Sequence, residues 1–158
     1  MKTTAARTAV LISLLSAAGH SPAGQNPLPP SPDLYSEYES FIYALESKAS
    51  SKALQHLSQK HSAELDANPQ WEDFAHNLPI LSTLDRMLPT TRSRFERIQH
   101  RTACLTVNGE DPGEEPTSVN IEFVQENNAW KMDYVQVVYH ESIEDLPTAA
   151  VCPVRADD

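Results

Sequence analysis

The chain has 158 residues, enough for one domain with a single core, and carries 22 acidic against 12 basic side chains for a formal charge of −10. That balance argues against nucleic acid and anionic membrane surfaces as partners. With only 4 glycines and 2 cysteines, the chain shows no phosphate loop, no Rossmann glycine pattern and no Cys-x-x-Cys spacing.

Residues 1–24 read as an export signal. Lys2 and Arg7 make a basic start, Thr8 to Ala18 is an apolar run too short for a permanent membrane anchor, and small residues follow. Cleavage after Gly19 and cleavage after Ala23 both suit a small-residue peptidase site. Either removes two cations and no acid, leaving 10 basic and 22 acidic residues, a formal charge of −12. The expected location is therefore periplasmic or secreted, with no membrane contact after cleavage. Export also sets the cysteine chemistry. An even pair, Cys104 and Cys152, is expected as a disulfide that pins the C-terminal tail, 141–158, and stabilises by roughly 4 kcal/mol in the chain-entropy model.

Residues 25–31 hold Pro27, Pro29 and Pro30 and form an extended, proline-rich leader with no hydrophobic periodicity. The first helix is expected from Ser31-Pro32-Asp33, with Ser31 as cap, and runs to about Ser47. Leu34, Tyr38, Phe41, Ile42 and Leu45 recur along it at helical spacing. A second helix opens at Ser50-Ser51 and carries Ala53, Leu54 and Leu57 before the pattern fades across Ser58 to Glu64. A third helical segment, from about Gln70 to Pro89, carries Trp71, Phe74, Leu78, Leu84 and Met87 and is interrupted at Pro79.

From Thr91 the period changes. Ser93 to Val107 reads as one long bent strand, or as two strands parted by a bulge near His100, and Asn108 to Pro116 as an acidic loop. Ser118 to Tyr139 reads as a hairpin turning at Asn127-Asn128, since Asn tolerates the positive φ of a tight turn. Opposed residues then sum to 255. Phe123 faces Met132, Ile121 faces Tyr134 and Val119 faces Gln136 on a greasy face, while Glu122 and Asp133 share a wet one. A sheet with one apolar face needs a cover, and the N-terminal helices supply it. The fold class is α+β: N-terminal helices packed on an antiparallel sheet of three to four strands.

Helices first, then strands carrying Ala103-x-Leu105-x-Val107, Ile121-Glu122-Phe123-Val124 and Trp130-Lys131-Met132-Asp133, resembles the exported bacterial branch of the nuclear transport factor two-like superfamily of cone-shaped domains. The resemblance covers about Asp33 to Tyr139, within a domain set at 32–140. It implies a curved sheet wrapped round helices with a pocket at the open end of the cone. In that superfamily the pocket hosts isomerases, dehydratases and cyclases in some branches and non-catalytic binding modules in others, so fold alone does not choose.

An isomerase of this kind needs a carboxylate base and a tyrosine or protonated acid as oxyanion donor in an apolar pocket. Tyr38, Tyr43, Asp85 and Asp133 are the right residue types, and no catalytic motif aligns them. His56 and His61 fall on different helix faces, and the remaining histidines have no ligand-spaced neighbour, so no metal or other cofactor is expected. The leading expectation is an exported, non-catalytic module binding a protein partner or an apolar small ligand, with Tyr38, Phe41, Trp71, Phe123, Met132 and Tyr134 lining the cone. A small-molecule isomerase or dehydratase and a secreted inhibitor with an acidic surface are the alternatives. Pairing of two copies through the sheet face is a further expectation.

Overall fold

The computed structural model describes residues 33–67, 83, 84, 87, 89–110, 113 and 115–155. The expected export signal, the leader and most of the third helical segment, including Trp71 and Asp85, lie outside them. Helix α1, Leu34–Glu46, is capped by Asp33, whose Oδ1 accepts the Ser36 amide at 3.0 Å. The helix thus opens two residues beyond the Ser31 cap that the sequence suggested, because Asp33 itself supplies the capping oxygen. Its buried stripe is Leu34, Tyr35, Tyr38, Phe41, Ile42 and Ala44.

The expected second helix is two short ones, α2 (Ser50–Leu54) and α3 (Gln59–Asp66). Between them the backbone leaves the helix to pair with a strand: the Met132 amide donates to the His56 carbonyl and the Ser58 amide to the Met132 carbonyl, both at 2.8 Å. Helix α3 buries no residue, which is why no apolar stripe announced it. Thr83, Leu84 and Met87 are helical and buried.

Four antiparallel strands follow, β1 (Ser93–Gln99), β2 (Thr102–Glu110), β3 (Pro116–Glu126) and β4 (Ala129–Tyr139), in a curved, unclosed sheet of order β1-β2-β3-β4. The long segment from Ser93 is two strands, and the irregularity expected at His100 is a full reversal, with His100 at φ 56°. β2 runs three residues into the expected acidic loop. Gly109 marks a close approach there: a Cβ on it would lie 2.9 Å from the Thr90 carbonyl oxygen.

The hairpin turn is at Asn127 and Asn128, at φ 50° and 63°. Gln125 pairs with Trp130 and Phe123 with Met132, as the alternation required. Beyond that the register slips by one. Asp133 is left without a partner, Glu122 pairs with Tyr134, and Ile121 with Val135. A bulge therefore moves Tyr134 from the expected greasy face to the opposite one and replaces it with Val135.

The sheet is covered on both sides. Ala103, Leu105, Val107, Val119, Ile121, Phe123 and Met132 form one core with α1, Ala53, Leu84 and Met87. Across the other face runs the tail, 141–155, after a short 3-10 turn at Ile143–Asp145.

Candidate functional site

The cone-lining residues expected from the sequence divide into three fates. Tyr38, Phe41, Phe123 and Met132 are buried within the core cluster, Tyr134 lies half-buried on the opposite face, and Trp71 is outside the described residues. Tyr38 is engaged as well as buried: its hydroxyl donates to the Leu84 carbonyl at 2.5 Å. Tyr43 is 60 % exposed and Asp133 is ion-paired with Arg155, so the described acid and tyrosine candidates for isomerase chemistry do not converge. Among the described residues no group of three His, Cys, Asp or Glu side chains is placed to hold a metal ion.

The tail is fastened at four points. The Asn108 amide donates to the Pro147 carbonyl at 2.8 Å, the Val151 amide donates to Thr106 Oγ1 at 2.8 Å, and Cys152 is bonded to Cys104. Arg155 Nη2 then reaches Glu122 Oε1 at 2.7 Å and also pairs with Asp133, its guanidinium above the Tyr134 ring. This places Tyr134 under a cation rather than in a cavity. Burial pushes the Asp133 carboxyl up, but the Ser58 hydroxyl, the Arg155 guanidinium and the His61 imidazole beside it prevail and hold it below the ordinary carboxylate range. The bulge is what aims Asp133 at this cluster.

Where β4 ends, the surface opens into a groove of about 500 Å³ lined by Glu115, Pro116, Tyr139, His140 and Glu141. Its two walls are tied together twice. The His140 amide donates to the Pro116 carbonyl at 2.8 Å, and His140 Nε2 lies 2.8 Å from Ser118 Oγ. Tyr139 is 53 % exposed and Glu115 and Glu141 are exposed beside it. An exposed tyrosine in one groove with two carboxylates suits a lysine ammonium or an arginine guanidinium, which can gain cation–π attraction and charge-assisted hydrogen bonds together. Sequence reasoning missed this site. Its one signal was acids on both sides of a β-rich run, at Glu115 and Glu141, and nothing in the sequence alone joins those ends.

Compared with family models, curated proteins and solved structures, the chain finds no match in any of the three. Among the described residues no helix is long and apolar enough to cross a membrane.

Proposed function

We propose that this chain is an exported, non-catalytic binding module, of nuclear transport factor two-like plan, that engages a basic protein partner at the groove beside Tyr139. The observation that carries the reading is an exposed tyrosine that shares one groove with Glu115 and Glu141 at the end of β4. The surrounding charge acts in the same direction: a formal charge of −12 once the export signal is removed draws a basic partner in before contact. The interior favours a surface mode over an apolar ligand, since Tyr38, Phe41, Phe123 and Met132 are spent on packing. The disulfide across the sheet fits an oxidising compartment.

Calorimetric titration with hexalysine tests the reading. The expected result is salt-sensitive binding that weakens at least tenfold when Glu115→Gln and Glu141→Gln are combined with Tyr139→Ala. Affinity unchanged by the triple substitution would contradict it.

A further inference from the structure

The two edges of the sheet are protected very differently. β1 carries Arg94, Glu96 and Arg97 within seven residues, and two of these are held by α1: Glu96 Oε1 accepts the Tyr35 amide at 3.2 Å and Arg94 stacks 4.3 Å from the Tyr35 ring centroid. Charges on an edge strand are a usual defence against strand addition. β4 has no such defence over Tyr134-Val135-Gln136-Val137-Val138, a run of uncharged, mostly β-branched residues without proline or glycine.

The open stretch begins where the Met132 backbone, taken by His56 and Ser58, closes the outer edge on the hairpin side, and it runs to the end of β4, where the His140 amide still bonds inward to Pro116 of β3. Along it, among the described residues, the backbone of Tyr134–Val138 bonds only to β3. Five residues of strand span about 17 Å, enough for several main-chain hydrogen bonds to an added chain. The strand then leads directly into the groove at Tyr139, His140 and Glu141.

We propose that the Tyr134–Val138 edge of β4 accepts an extended, lysine- or arginine-bearing segment of the partner protein as a fifth strand, with one cationic side chain reaching the groove. The proposal rests on the basic-partner reading above and adds its binding mode: main-chain pairing supplies affinity and the groove supplies selection. Charge decides the occupant. A second copy of this chain brings a further strongly negative net charge to a protein that is already acidic, whereas a basic segment brings the opposite sign to it and to Glu115 and Glu141 in the groove.

The test uses the intact, disulfide-bonded protein and a capped nonapeptide of alternating lysine and valine. It is compared with two versions N-methylated on alternate backbone nitrogens, one in each phase, so that one of them always blocks the pairing edge. The expected result is binding of the parent peptide, at least a tenfold loss for one methylated phase only, and slowed amide exchange within Tyr134–Val138. Equal binding of all three peptides overturns strand addition and leaves the basic-partner reading standing. Binding by none overturns that reading and the strand with it. Concentration-dependent self-association that protects the same amides without peptide assigns the edge to a second copy and overturns the proposal.

Discussion

One face of the sheet is buried by Leu105, Val107, Ile121 and Phe123 against helices, and the other buries Thr106, Asn108, Ser118 and Asn120 beneath the tail. The two covers work by different physics. Each large apolar side chain on the helix face contributes roughly 1.5–3 kcal/mol through water removal, without regard to direction. Hydrogen bonds such as Val151 to Thr106 and Asn108 to Pro147 contribute about 1 kcal/mol each, but only in one geometry. The helix face therefore holds by burial that has no direction, and the hydrogen bonds of the tail face set where the tail lies.

The largest break in that contrast is Phe123→Ala. The ring is fully buried at the centre of the apolar face, and its removal is expected to cost about 3–5 kcal/mol in chemical denaturation. A loss below about 1 kcal/mol would show that the helix cover does not carry the fold.

Cys104→Ala with Cys152→Ala removes the covalent fastening on the other face. The loop it closes predicts a loss of up to about 4 kcal/mol relative to the bonded protein. Because the bond acts largely through the unfolded chain, amide exchange at Ile121 and Phe123 should accelerate by no more than this global loss, while release of the tail exposes Val151 with the core still folded. Equal acceleration on both faces would mean that the covers are not separable.

How much of this was written in the chain follows the same division. The α1 stripe, the Asn127-Asn128 turn and the apolar alternation of β3 are local patterns, and the structure has them where the spacing put them. The single-residue slip at Asp133 is not a local pattern. An acid at that position reads as a solvent-facing strand residue until Arg155, 22 residues on, turns it into a bulge anchored by an ion pair. For the same reason Thr106, Asn108 and Asn120 read as a wet face or a loop, and their burial depends on a tail that returns from far along the sequence. The groove shares this difficulty, since Glu115 and Glu141 come to line one groove only once β3 and β4 pair.

Arg155→Ala gives the smallest effect, about 0.5–1 kcal/mol, because the guanidinium is partly exposed. Its signature is in the pH dependence. The folded Asp133 carboxyl lies below its unfolded value of about 3.9, so its stabilising contribution is complete above that pH and is lost as pH falls through the folded value. Acid titration of stability from pH 6 to 2 should therefore be shallower in Arg155→Ala than in the parent protein. Identical acid profiles would remove Arg155 as the group that holds Asp133 ionised.

The proposed recognition takes place on the surface at the end of β4 and not inside the helix-covered core. Amide and side-chain NMR of the intact protein, titrated separately with hexalysine and with the apolar dye ANS, tests it most directly. Hexalysine should induce shifts centred on Glu115, Tyr139, His140 and Glu141, and ANS should give no saturable shifts at Tyr38, Phe41, Phe123 or Met132. Saturable ANS binding at those four core residues, with hexalysine leaving the groove unmoved, would contradict it.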